Sequence, residues 1–274
     1  MNRKECLSSC RLYGIVDMGY TAEHQLLPVT EKLLAGGLRI LQLRAKNHNP
    51  EHIENMGRQL APLCRKYGCL FIINDYPEIA LNIGADGVHL GQDDGDLASV
   101  RGLLGKDAVI GRSTHSPEQA LGACGEQADY IGFGPLFPTG TKPGRQAIGL
   151  EDIASVQQQL PENFPVFCIG GINGNTLLSV LEAGANRVVI VSWLLTHPDI
   201  TGTVRTLRKE LGEAERKTRT PIHVIPAFPL PPETEPDGRS EKRRYSQSSA
   251  KCAPDPSSTV PFLEDPCTRH ISPT

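Results

Sequence analysis

Residues 38–90 read LRILQLRAKNHNPEHIENMGRQLAPLCRKYGCLFIINDYPEIALNIGADGVHL. Leu38–Leu43 and Leu70–Ile73 are short apolar runs that do not alternate with polar residues, the pattern of strands buried on both faces. Between them, Glu51–Tyr67 repeats its apolar residues at helical spacing. That pattern starts just after Pro50 and stops at Gly68, which fits the preference for Pro at the start and Gly past the end of a helix. A second short helix is predicted from Pro77, and Val88–Leu90 is a third apolar run. Strand, helix, strand, helix, strand is how a parallel sheet is built, each helix being the crossover to the next strand.

Outward from this stretch the same unit recurs. Strands are predicted at Leu12–Val16, Val109–Ile110, Tyr130–Phe133, Val166–Ile169 and Val188–Val191. Helical patterns are predicted at Val29–Ala35, Leu97–Leu104, Pro117–Ala123, Leu150–Leu160 and Asn175–Ala183, and from Pro198 to Leu211. One helix-to-strand turn is reused: Ala35-Gly36-Gly37, Ile83-Gly84-Ala85-Asp86, Gln127-Ala128-Asp129 and Glu182-Ala183-Gly184-Ala185 each precede a strand. Eight such units over residues 11–212 predict an α/β fold, the (β/α)8 TIM barrel. No strand is followed by a GxGxxG turn, so a dinucleotide-binding sheet has little support.

The rest of the chain is of another kind. Half of the 22 prolines lie from Pro221 onward, in a stretch rich in Ser, Thr and charge and without apolar periodicity. Such a segment buries too little apolar surface to offset chain entropy, so residues 213–274 are predicted to be a disordered tail. Residues 1–10 form an N-terminal extension with charges but no apolar h-region, which argues against a secretory signal. No apolar run approaches the ~20 residues of a membrane span. A net charge of −3 gives no positive field for nucleic acid or an anionic membrane. Eight cysteines with no CxxC spacing fit scattered thiols in a reduced, cytoplasmic protein. Nothing in the sequence sets an oligomeric state.

In such a barrel, chemistry sits just past the C-terminal ends of the strands. Those positions hold Gln42, Arg44 and Lys46 after the second strand, Asn74 and Asp75 after the third, and His89 and Asp94 around the end of the fourth. Arg112, Ser113 and His115 follow the fifth strand, and Thr139, Thr141 and Lys142 lie in the long loop 134–149 after the sixth. Gly170 and Gly171 follow the seventh, and Val191 and Ser192 the eighth. The opposite strand ends carry mostly Gly, Ala and Asn. Arg44, Lys46 and Lys142 with Asp75 and Asp94 are the residue types that hold Mg²⁺ together with a phosphate, because Mg²⁺ takes one or two carboxylates and completes its shell with phosphate oxygens and water. Gly171, Val191 and Ser192 occupy the usual metal-free phosphate site of a barrel. Two phosphorylated small molecules meeting in one mouth is the inference. Blander readings stand beside it: Asp75 as a cap of the helix at Pro77, Ser113 as a cap ahead of Pro117, an acidic neighbour in place of Asp94, and His89 as a core histidine.

The segments Gln42-Leu-Arg-Ala-Lys46, Ile73-Asn-Asp75, Gly84-Ala-Asp-Gly-Val-His-Leu-Gly-Gln-Asp-Asp94, Gly132-Phe-Gly-Pro-Leu-Phe-Pro-Thr-Gly-Thr-Lys142 and Ile169-Gly-Gly-Ile172 together resemble thiamine-phosphate synthases, over about residues 11–195. The resemblance implies a Mg²⁺-dependent transferase that joins a hydroxymethylpyrimidine diphosphate to a thiazole phosphate and releases pyrophosphate. It implies Asp75 and Asp94 as metal ligands. Gln42, Arg44, Lys46, Asn74, Ser113 and Lys142 would bind the pyrimidine diphosphate, with Arg44, Lys46 and Lys142 also stabilising the leaving group. Thr139, Thr141, Gly171, Val191 and Ser192 would hold the thiazole phosphate. Ala45, Tyr76 and the tail depart from the family pattern. Two other functions share part of this residue set. One is a thiazole tautomerase-like isomerase, with His89 or His115 shuttling a proton. The other is a non-catalytic barrel that binds phosphorylated ligands.

Overall fold

Eight parallel strands close on themselves in sequence order in the computed structural model, which describes residues 2–139 and 146–212. They are β1 (Leu12–Asp17), β2 (Ile40–Arg44), β3 (Leu70–Asn74), β4 (Gly87–Leu90), β5 (Val109–Thr114), β6 (Tyr130–Phe133), β7 (Val166–Ile169) and β8 (Val188–Ile190). Closure is made by β8 against β1, with Leu12 opposite Val188 and Gly14 opposite Ile190. The helices among the described residues are α1 (Arg3–Ser9), α2 (Leu26–Ala35), α3 (Pro50–Tyr67), α4 (Pro77–Asn82), α5 (Leu97–Leu104), α6 (Pro117–Gly125), α7 (Ile153–Gln159), α8 (Leu177–Glu182), α9 (Ser192–Leu195) and α10 (Ile200–Glu210). None is long and apolar enough to cross a membrane. The expected tail, residues 213–274, lies outside the described residues, as do Thr141 and Lys142.

Local chemistry sets the helix ends. Asn49 caps α3 by accepting from the His52 N–H, Pro50 fills the first turn, and Gly68 closes the helix in the left-handed conformation. Ile53, Met56, Leu60 and Cys64 form its buried stripe. Asp96 caps α5 and Ser116 caps α6. The Asp75 side chain caps nothing, since α4 starts at Tyr76 without a side-chain cap, and Ser113 lies inside β5. Both capping alternatives are thereby removed.

The structure corrects the sequence reading in several places. β5 runs four residues past its expected end, because Arg112, Ser113 and Thr114 pair with Leu90, Gly132 and Phe133 of the flanking strands. Strand pairing on both sides overrides the polarity of those side chains. Val191 is the residue ahead of α9 rather than the end of β8. α7 and α8 start later than their apolar patterns, at Ile153 and Leu177. Helices α1 and α9 were not expected. α1 falls inside the expected extension and buries Cys6 and Leu7. The strand ends at that face are not merely small residues. Asp86, just ahead of β4, accepts from Arg3 Nε at 2.7 Å, and Asp129, just ahead of β6, pairs with Lys4 at 2.9 Å and Arg101 at 2.6 Å. These acids tie α1 and α5 to the lower rim of the barrel.

Candidate active site

Inward-facing residues of β1, β6 and β7 build the floor of the opposite mouth. Tyr13, Tyr130 and Phe167 pack edge to face, with ring centroids 5.3 to 5.8 Å apart. Gly111 makes room for this cluster, since a Cβ there would lie 2.1 Å from the Tyr130 ring. The polar ends of the floor residues are linked in one chain. Gln42 Nε2 donates to the Tyr13 hydroxyl at 2.9 Å, and the Tyr13 and Tyr130 hydroxyls bond at 2.9 Å. His89 Nδ1 bonds the Tyr130 hydroxyl and its Nε2 bonds Ser113 Oγ, each at 3.0 Å. Burial pushes both phenols above their ordinary range, so they serve as neutral hydroxyls. Both ring nitrogens of His89 are engaged in this chain. His115 Nδ1 bonds the Gly134 carbonyl.

Above the floor lies a cavity open at the C-terminal ends of the strands. Of the expected site residues, Gln42, Arg44, Asn74, Ser113, Thr139, Gly171, Val191 and Ser192 line it. On the β7 side, Gly170 and Gly171 have φ of 103° and 68°, and a Cβ on either would collide with Pro135 or Phe137 of the loop after β6. Only glycine fits a backbone that is left-handed and this closely covered.

Lys46, Asp75 and Asp94 do not line the cavity; they stand on its rim. Lys46 Nζ lies 2.6 Å from Asp75 Oδ2. Asp75 sits on the turn after β3 with φ 68°, a conformation that Asp tolerates better than most residues. Its backbone N–H donates to the His89 carbonyl at 2.9 Å, which ties this turn to β4. Burial raises the Asp75 carboxyl above its ordinary value, the Lys46 ammonium opposes that, and a hydrogen bond with Asp94 raises it again. Asp94 Oδ2 also accepts from the Gly91 N–H at 2.7 Å. The acidic neighbour Asp96 is committed to capping α5, so of these two Asp94 is the one that faces Asp75. The two adjoining carboxylates are oxygen ligands of the kind a hard cation takes, and the Lys46 ammonium beside them suits a phosphate oxygen. Among the described residues no group of three or more His, Cys, Asp or Glu side chains is placed to hold a metal ion.

Sequence reasoning missed Asp17. It is buried at the end of β1, directly opposite Arg44 in the β1–β2 register, and its Oδ2 accepts from Arg44 Nη1 at 2.7 Å. Its other oxygen accepts from the Gly19 N–H at 2.9 Å. An acid closing the run Leu12–Asp17 at the level of Arg44 was the available signal. Tyr13 and Tyr130 were read as strand residues only; their hydroxyl pairing spans 117 positions and leaves no local trace.

Fold and mouth together define a (β/α)8-barrel enzyme whose working groups converge from separate strand ends. The family model described as thiamine monophosphate synthase matches residues 12–194, and the chain belongs to that family. It is 43% identical over 203 residues to a thiamine-phosphate synthase of Thermus thermophilus, covering 73% of this chain and 97% of the relative. It is 40% identical over 206 residues to a thiamine-phosphate synthase of Synechocystis sp., where it spans 58% of a longer protein. Among solved structures it resembles the thiamine phosphate pyrophosphorylase of Pyrococcus furiosus, with a TM-score of 0.67, 31% identity and coverage of 76% of this chain and 98% of that one.

Proposed function

We propose that this chain is a Mg²⁺-dependent thiamine-phosphate synthase of the cytoplasm. It joins a hydroxymethylpyrimidine diphosphate to a thiazole phosphate and releases pyrophosphate. The observation that carries this reading is the carboxylate pair Asp75 and Asp94, with the Lys46 ammonium next to it, beside a cavity that reaches from Gln42 and Ser113 to Gly171 and Ser192. One end suits a diphosphate and the other a monophosphate.

In this reading Gln42, Asn74 and Ser113 orient the pyrimidine diphosphate, and Arg44, Lys46 and Lys142 hold its phosphates. Thr139, Thr141, Gly171, Val191 and Ser192 hold the thiazole phosphate. The bond between the pyrimidine methylene carbon and the diphosphate oxygen breaks, and its electron pair leaves with pyrophosphate. The thiazole nitrogen then gives its lone pair to the methylene carbon, forming the new C–N bond. Asp75 and Asp94 would hold Mg²⁺, which would supply Lewis-acid stabilisation of the leaving group. The cations of the mouth stabilise the same developing charge, and the fixed second substrate supplies proximity. No protein nucleophile is needed. The isomerase reading needs a proton shuttle at His89 or His115; both ring nitrogens of His89 are bonded within the floor, and His115 Nδ1 is bonded to the Gly134 carbonyl.

The test mixes the purified chain with both substrates and Mg²⁺ and measures thiamine phosphate. Product is expected, and excess EDTA abolishes it. Interconversion of thiazole tautomers without product would favour the isomerase, and binding without turnover the non-catalytic barrel. We also take residues 11–212 as the catalytic unit, with 1–10 as an N-terminal extension whose helix α1 packs on the lower rim and 213–274 as an appendage. Truncation after Lys217 is then expected to leave turnover within about 2-fold of the full chain, because residues 11–212 already contain all eight strands of the closed barrel. A marked loss would mean that the tail takes part in the site.

A further inference from the structure

Arg112 faces away from the cavity, yet its guanidinium reaches the loop that bears Asp94. Strand alternation puts Ser113 inside the barrel and Arg112 on the outer side of β5, where the residue is 5% exposed. Nη1 donates to the Gly91 carbonyl at 2.6 Å, and Nη2 donates to the Gly95 carbonyl at 2.8 Å. Glu126 at the end of α6 lies 3.5 Å from Nη2. One planar group thus grips both ends of the turn Gly91–Gly95. Inside that turn, Asp94 folds back onto the Gly91 N–H at 2.7 Å, so the position of Gly91 sets the position of the carboxylate. Gln92 ties the same turn to β5 through the Ser113 carbonyl.

We propose that Arg112 is a positioning residue for the metal-binding carboxylate Asp94, acting through the two carbonyls of the turn rather than through substrate. This rests on the metal reading of Asp75 and Asp94 given above. A fork of fixed geometry spans two carbonyls, whereas a lysine ammonium meets one of them. Groups that orient a metal ligand from behind typically change metal affinity by about 10- to 100-fold when lost.

The experiment compares the full chain with Arg112→Lys and Arg112→Met. Mn²⁺ binding is followed by electron paramagnetic resonance in the presence of inorganic pyrophosphate, and amide exchange of residues 91–95 by mass spectrometry. Arg112→Lys is expected to keep its melting temperature within a few degrees, to weaken Mn²⁺ binding by about 10-fold and to speed exchange in the turn. The KM for the thiazole phosphate is expected to stay unchanged. Arg112→Met, which abolishes the fork, is expected to show the larger loss. Wild-type Mn²⁺ affinity in Arg112→Lys would overturn the inference, as would an equal rise in both substrate KM values together with a fall in melting temperature. A parent chain that binds no Mn²⁺ with pyrophosphate would overturn the metal reading itself, and this inference with it.

Discussion

Asp75→Asn is expected to lose at least about 100-fold in the rate of thiamine phosphate formation while the chain stays folded. Asparagine accepts the left-handed backbone of Asp75, where φ is 68°, so the turn after β3 keeps its shape. What is lost is charge. The Lys46 ammonium at 2.6 Å loses its partner, and of the two adjoining carboxylates only Asp94 remains. Lewis-acid stabilisation of a leaving phosphate amounts to several kcal/mol, and about 3 kcal/mol already corresponds to about two decades in rate. Steady-state turnover at saturating Mg²⁺, with circular dichroism for the fold, checks this. Asp75→Ala is expected to lose as much activity and some stability too, because alanine is poorly suited to that backbone. Near-normal turnover in a folded Asp75→Asn would remove the metal assignment.

The second large effect falls at the other end of the barrel. Asp86→Ala is expected to destabilise the fold by about 3–5 kcal/mol, the usual result of breaking a buried ion pair from one side. Asp86 Oδ1 accepts from Arg3 Nε at 2.7 Å and Oδ2 accepts from the Phe71 N–H at 2.9 Å, with both side chains largely buried. Truncation leaves the guanidinium without its carboxylate and a strand N–H without its acceptor. For a barrel of this size the melting temperature is expected to drop by about 10 °C. The double variant Arg3→Met, Asp86→Leu is expected to recover most of the loss, because removing both charges also removes the desolvation cost. Burial already raises the Asp86 carboxyl above its ordinary value, even with Arg3 beside it. Denaturant melts of the parent chain and the two variants separate these terms. A loss under about 1 kcal/mol in Asp86→Ala, the size of an exposed pair, would mean that α1 is not anchored here.

The two predictions mark the division of labour in this barrel. In the proposed function the upper rim places charge for chemistry; it is partly open, with Lys46 half-exposed beside Asp75. The lower rim places charge for closure and is covered by α1. Turnover should therefore respond to Asp75 and stability to Asp86.

Much of this was legible in the chain itself. Unbroken apolar runs such as Leu70–Ile73 and Val166–Ile169, each followed by a helix, determined the number, order and parallel sense of the strands, because burial on both faces and crossover geometry are local consequences of composition. That order determined which residues stand at strand ends, and so Gln42, Arg44, Asn74 and Ser113 were found with one another. Tertiary structure alone decided the rest. The bond between Tyr13 and Tyr130, the pairing of Asp17 with Arg44, the anchoring of Arg3 on Asp86 and the grip of Arg112 on Gly91 and Gly95 join residues far apart in sequence. Periodicity reports which face of an element is buried, not which distant side chain meets it there. Only barrel closure, which puts β8 against β1 and turns alternate residues inward, sets those meetings.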